Sequence, residues 1–253
     1  MDIVRLGYPD TALHEASAAA VARVLEAHEL DVEYVPIAVD AVAEIFSRDG
    51  AFDPSDGIDL FASAWLPRTD AGLVEGAMEP LGLLYRPAFI WTVAVDGPVT
   101  IADLAGMASM DRRILVPASG PFAALAGHVL QAYGLDRAGY AIEPVSDAAA
   151  LAWAEAADPA RIVPLCRPHD LLHASGLRTL EDPLAALGAD QEARLLIRHD
   201  LRSTLDSDLI DELEALTLGN KVVSAMAFAM RIQGMTAEEA ADAWQRGKLT
   251  PRA

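Results

Sequence analysis

The order of strands and helices over the first 65 residues is the strongest constraint on what this chain can fold into. Residues 2 to 9, Asp-Ile-Val-Arg-Leu-Gly-Tyr-Pro, alternate as a strand does and stop at Gly7-Tyr8-Pro9-Asp10. Asp10 or Thr11 can cap a helix whose apolar positions Leu13, Ala20, Val21, Val24 and Leu25 recur at helical spacing up to His28. Val32 to Ile37 reads as a second strand, Val39 to Phe46 as a second helix, and Ile58 to Ala64 as a third strand with Trp65 at its C-terminal end. This βαβαβ order predicts a parallel sheet with helices on both faces, and ligands collecting beyond the carboxyl ends of the strands. The Gly7-Tyr8 turn and Trp65 both belong there. Pro67 stops the third strand, so Trp65 offers either a rigid aromatic face or a plug for the core.

The rest of the chain repeats the logic. Met78 to Val95 is extended and apolar until Asp96-Gly97-Pro98 breaks it. A short helix from Ile101 to Met107 and a strand from Arg113 to Pro117 follow. Ser119-Gly120-Pro121-Phe122 then opens a long helix to Tyr133, whose free N–H groups could receive an anion or simply be capped. Tyr140 to Val145 and Arg161 to Leu165 read as strands around a helix from Asp147 to Ala157, and Trp153 on that helix reads as core. The second strand ends in Cys166-Arg167-Pro168-His169-Asp170, a polar concentration that mirrors Trp65-Leu66-Pro67. Beyond the turn Leu180-Glu181-Asp182-Pro183, Ala193 to Arg198 is a strand and Leu205 to Met230 mostly helix. A last amphipathic helix is capped at Thr236 by Thr-Ala-Glu-Glu and runs to Trp244 and Arg246. The whole predicts an α/β fold of two lobes with no distinct linker, so the chain crosses between them more than once. Residues 1–92 and 191–253 are assigned to one lobe and 93–190 to the other.

Composition excludes several functions. A chain of 253 residues with 53% hydrophobic side chains and a mean hydropathy of +0.23 buries a substantial core. Every apolar run is broken by Asp, Glu, Arg or Pro before it reaches the ~18 residues that span a bilayer. A net charge of −19, with no basic run to offset it, opposes binding to nucleic acid. Met1-Asp2-Ile3-Val4-Arg5 reads as the start of a strand, so an exported protein would have lost its signal peptide from this sequence. Cys166 is the one cysteine, which rules out an intrachain disulfide and leaves the redox compartment open.

The chemical motifs are mostly negative. Cys166, His169 and Asp170 suggest a thiol nucleophile, but a proline-fixed turn after a strand seldom aligns such groups. His169 and His173 stand four apart without the acidic partner of a zinc helix, and no Gly-rich phosphate loop follows the first strand. No metal or cofactor is expected, and no catalysis. A binding site remains. Trp65, Tyr8, Trp91 and Phe122 could supply aromatic faces, which suit a quaternary ammonium and contribute roughly 0.5 to 2 kcal/mol each. Arg167, His169 and free N–H groups around Ser119 and Gly120 could hold an anion, and Gly7 and Asp10 at the first strand end join the candidate ligand-binding residues. A zwitterion would use both sets.

Six stretches in order carry a resemblance: Val4-Arg5-Leu6-Gly7-Tyr8, Ile58-Asp59 to Trp65-Leu66-Pro67, Tyr133-Gly134-Leu135, Arg167-Pro168-His169, Leu180-Glu181-Asp182-Pro183, and Thr236-Ala237-Glu238-Glu239-Ala240-Ala241-Asp242-Ala243-Trp244. Together they resemble the glycine betaine/choline-binding family of ABC importer substrate-binding proteins. The resemblance implies the two-lobed type II periplasmic-binding-protein fold, with a small-molecule ligand in the interlobe cleft and hinged closure around it. It also implies a periplasmic or extracytoplasmic monomer with permease and ATPase partners. On this pattern Trp65 is one member of an aromatic cage, His169 holds the ligand carboxylate and Gly7-Tyr8 is a backbone turn near it. Cys166 departs from the pattern, because the family usually has a second cage tryptophan there, and Asp170 replaces a residue that is often aromatic. Two alternatives stay open: a non-quaternary carboxylated solute held by Arg167 and His169, or a cytoplasmic sensor or enzyme on the same scaffold.

Overall fold

In a computed structural model of the protein, residues 3–39, 41–42, 57–74, 78–118, 122–156, 158–174 and 176–249 are described. Most of the helix expected at 39–46, together with Ser119 and Gly120, lies outside them. The chain divides into two units, Met1–Pro87 with Gln191–Ala253, and Ala88–Asp190. Among the described residues no helix is long and apolar enough to cross a membrane.

The first unit is built on a sheet of β1 (Ile3–Pro9), β2 (Asp31–Ile37), β3 (Leu60–Leu66), β4 (Met78–Tyr85) and β10 (Glu192–Arg198), in the order β2-β1-β3-β10-β4. β1 (Ile3–Pro9) pairs in parallel with β2 (Asp31–Ile37) and β3 (Leu60–Leu66), as the βαβαβ reading requires. The expectation of a parallel sheet fails at its other half. β10 (Glu192–Arg198) enters between β3 and β4 (Met78–Tyr85) and runs antiparallel to both. Local periodicity cannot reveal a strand that returns from more than a hundred residues away. β1 also continues through Pro9 rather than turning at Gly7-Tyr8. Gly7 is a ladder residue there, and a Cβ on it would stand 3.0–3.2 Å from Ile58 and Phe61.

α1 (Ala12–Ala27) lies on this sheet with Thr11, not Asp10, as its N-cap. Its middle is almost wholly buried: Ala16, Ala18, Ala19, Ala20 and Ala22 allow close packing against β1, β2 and β3 and against two later helices, α7 (Asn220–Gln233) and α8 (Ala237–Gln245). Ser17 is fully buried as well and donates to the Leu13 carbonyl at 3.0 Å, so no polar atom is stranded. The long helix expected from Leu205 divides into α6 (Ser207–Ala215) and α7, because Gly219 adopts a φ of 75° between them. α8 has the expected capping box between Thr236 and Glu239.

The second unit holds an antiparallel sheet, β8-β5-β9, and a parallel pair, β6 (Arg113–Pro117) with β7 (Ala141–Val145). β5 (Ala88–Ala94) is the second half of the extended run, separated from β4 by Arg86-Pro87. β8 (Val163–Arg167) pairs with it, and β9 (Leu177–Thr179) flanks the other edge. α2 (Phe122–Ala132) and α3 (Asp147–Glu155) are the helices expected there, and a short α4 (Asp170–Ala174) follows β8. Trp91, Ile114, Val116, Val129 and Tyr140 form the centre of this unit's core.

Packing of α6 on β4 leaves no room at Gly82, where an added Cβ would lie 2.4 Å from the Leu213 carbonyl oxygen. Gly82→Ala should therefore cost about 1–3 kcal/mol. Urea denaturation followed by circular dichroism measures it, and a stability equal to the parent would show that α6 moves away freely.

Candidate functional site

In the first unit the site residues gather around Trp65. It lies within β3, opposite Ala193 of β10, and is half-buried against the core. Its backbone N–H donates to Asp70 at 2.6 Å, and its indole Nε1–H donates to the Tyr85 hydroxyl at 3.1 Å. Tyr85 is in turn hydrogen-bonded to Ser63. Ser63 holds a φ of 72°, beside the register shift that the β3–β10 ladder makes between Arg194 and Leu196. A non-glycine residue in the left-handed region at a bulge re-aims the strand. Its hydroxyl thereby meets the tyrosine that orients Trp65. Burial pushes the Asp70 carboxyl up, and the Trp65 N–H partly offsets this.

His14, which the sequence reading did not single out, packs on Trp65 with ring centroids 5.4 Å apart and a 36° tilt. Its Nδ1 is 2.7 Å from the Thr11 hydroxyl. The residue keeps some exposed surface, but packing around the ring lowers its pKa to about 3, so at neutral pH it is an uncharged aromatic. Tyr8 is a correction: only 6% exposed, it belongs to the core and meets Tyr34 edge-on at 6.2 Å. Burial and the carboxylates of Glu15, Asp10 and Glu238 raise its hydroxyl pKa, which marks an acidic surrounding at this end of β1.

The second unit contains a cavity of about 140 Å³. Phe122 and His169, two of the expected site residues, line it together with Cys166, Trp153 and Asp147. Phe122 stands edge-on to Phe89 at 5.2 Å. Trp153, expected as core, is half-buried against a small core cluster with Ile90, Val163 and Leu165, and the Arg161 guanidinium stacks 3.7 Å over its ring. Asp147 was read only as a helix start. The signal for Trp153 lay in the flanking Arg113 and Arg161, which a helical-period argument does not weigh. His169 Nδ1 is 2.8 Å from the buried Asp170 carboxylate and accepts from the Leu171 N–H at 3.2 Å. Burial pushes the Cys166 thiol up to about 12, contrary to what a nucleophile needs. Arg167 pairs with Asp190 at 3.4 Å. Trp91, expected as an aromatic face, is 1% exposed at the centre of the core and offers none. The Leu66–Pro67 and Arg167–Pro168 peptides are both cis.

Two outcomes follow from the titrating groups. Because the folded pKa of His14 lies below the ordinary 6.5, the unfolded chain binds the extra proton. Its stabilising contribution is complete above pH 6.5 and is lost as pH falls towards 3, at up to about 1.4 kcal/mol per pH unit. His14→Gln should flatten the fall in stability between pH 7 and 5 seen by urea titration; an identical slope refutes the assignment. Alkylation of Cys166 by iodoacetamide at pH 8 should be at least about tenfold slower in the native protein than in urea, and equal rates would show an accessible, normal thiol.

Comparison with known proteins adds the family. The model of the substrate-binding domain of ABC-type glycine betaine transport systems matches residues 2–246. Among solved structures, lactococcal OpuAC in its closed, liganded conformation with glycine betaine is 22% identical, over 98% of this chain and 96% of that one, with a TM-score of 0.70. A glycine betaine/L-proline-binding protein from Borrelia burgdorferi is 19% identical, over 95% and 91%, at 0.67. An ABC-transporter choline-binding protein in complex with choline is 16% identical, over 97% and 88%, at 0.66. No curated protein matches significantly. The family is an extracytoplasmic transport domain rather than an enzyme; it binds a small molecule and works with permease and ATPase subunits. Matched over nearly its whole length, the chain belongs to the substrate-binding domain family of ABC-type glycine betaine transport systems and has its mixed α/β fold.

Proposed function

We propose that this protein captures a small betaine-like quaternary ammonium or related zwitterionic compound for import, with Trp65 as the principal cation-binding face. The observation that carries the reading is the locked indole of Trp65, held through Nε1 by Tyr85 and packed on a neutral His14. A quaternary ammonium has no N–H to donate, so an oriented aromatic face is its natural partner. Asp10, Glu15 and Glu238 near the end of β1, within a chain of net charge −19, favour the approach of a cation. Solved relatives of the same fold hold glycine betaine and choline, and both ligands carry a trimethylammonium group. His169, and the backbone donors around Ser119 and Gly120, are the groups proposed for the carboxylate.

Arg167 is assigned a smaller part, because Asp190 already answers its charge. A carboxylated, non-quaternary solute would have to displace that pairing. The protein is read as a monomeric receptor that delivers its ligand to a membrane permease.

Calorimetric titration with glycine betaine, choline and acetate tests the reading. Saturable binding of the quaternary compounds with a tryptophan-fluorescence change is expected; binding of acetate alone would overturn it. Trp65→Ala should weaken glycine betaine by about 1–2 kcal/mol, roughly 5- to 30-fold. Trp65→Phe, which keeps a ring but lacks the indole N–H, should lose less. Equal affinities for all three folded proteins would return Trp65 to a purely structural role.

A further inference from the structure

The cavity of the second unit has a wall that the proposed cation and carboxylate contacts do not use. Its volume of about 140 Å³ is close to the apolar cavity of about 150 Å³ that accommodates benzene. The wall is chiefly aliphatic, with Leu115 from β6, Leu151 from α3, and Val163 and Leu165 from β8, closed by the Trp153 ring. The polar groups come from the margins of these elements: Asp147 is the first residue of α3, and His169 follows β8.

A cation is not what this wall selects. Arg161, paired with Asp158, already lies 3.7 Å over the Trp153 ring, and Arg113, paired with Asp111, lies 5.5 Å from it, so this indole already serves cations of the protein itself. A neutral apolar group needs no such ring face and gains from burial against four aliphatic side chains. Cys166, whose small side chain also lines the cavity, leaves the space open at the end of β8.

We infer that the cavity seats a neutral, benzene-sized apolar group of the solute, so that the transported compound carries such a group beside its charged ones. The inference rests on, and deepens, the reading of the protein as a zwitterion receptor.

The test uses the full chain and three probes: benzyl alcohol, glycine betaine, and a betaine in which benzyl replaces one methyl group. Benzyl alcohol alone should bind at millimolar concentration and shift the indole N–H resonance of Trp153 in a nitrogen–proton correlation spectrum, leaving that of Trp244 in place. The benzyl betaine should bind about tenfold more tightly than glycine betaine. Ala150→Phe, which fills the cavity from the half-buried face of α3, should abolish both the Trp153 shift and the benzyl preference. Should that variant fail to fold, the Trp153 resonance in the parent protein still decides. Binding of glycine betaine with no response to benzyl alcohol and no benzyl preference overturns the inference and leaves the transport reading intact. A benzyl alcohol response that Ala150→Phe removes, with neither betaine binding, supports the cavity and overturns the betaine reading instead.

Discussion

The first unit depends on a late strand inserted between two early ones. β10 is buried at Ala193, Leu195, Leu196 and Ile197 and pairs with β3 on one side and β4 on the other. Without it β4 has no described neighbour in the sheet, and the ladder that holds Trp65 opposite Ala193 is gone. The same segment brings Gln191, 3% exposed, whose side-chain oxygen accepts from the Arg68 and Thr69 N–H groups after Pro67. At its far end Arg198 pairs with the buried Asp59 at 3.2 Å, and Asp59 also accepts from the Arg5 N–H. A buried carboxylate is tolerable only with such partners. One long-range pairing therefore supports both ends of the strand that carries the candidate cation face, at the entropic cost of closing a loop of more than a hundred residues.

Around the Trp65 ring the protein places uncharged groups, while the Asp70 carboxyl holds the backbone N–H of Trp65. His14 is kept uncharged by packing, Tyr85 and Ser63 satisfy each other, and the nearby acids sit around Tyr8 rather than on the indole. The second unit treats its tryptophan differently. Trp153 is stacked by Arg161, so its ring already interacts with a protein cation. Two tryptophans of the same chain thus have different neighbours, an uncharged histidine at Trp65 and a guanidinium at Trp153.

Much of the order of elements was legible in the sequence because strand alternation and helical period are local. β1, α1, β2, β6, β7 and the Thr236 capping box follow directly from such patterns. Phe122 and His169 were legible as site candidates because each stands at an element end, and both line one cavity with Cys166. Tyr8 and Trp91 were misread because aromatic residues suit cores and ligand sites equally, and burial depends on what packs from elsewhere. His14 gave no signal, since a histidine in the first turn of a helix is ordinary until a strand more than forty residues away places an indole on it.

The sequence by itself determined the local elements, a strongly acidic net charge and, through six ordered motifs, the family. Only the tertiary structure decided that β10 runs antiparallel through the first sheet, that Trp65 is half-exposed while Trp91 is sealed, and that Trp153 lines a cavity beside Cys166. The physical reason is range. Backbone propensity and side-chain period act over a few residues, whereas register, burial and cavity shape are set by contacts between segments far apart in the chain, and no local pattern encodes those.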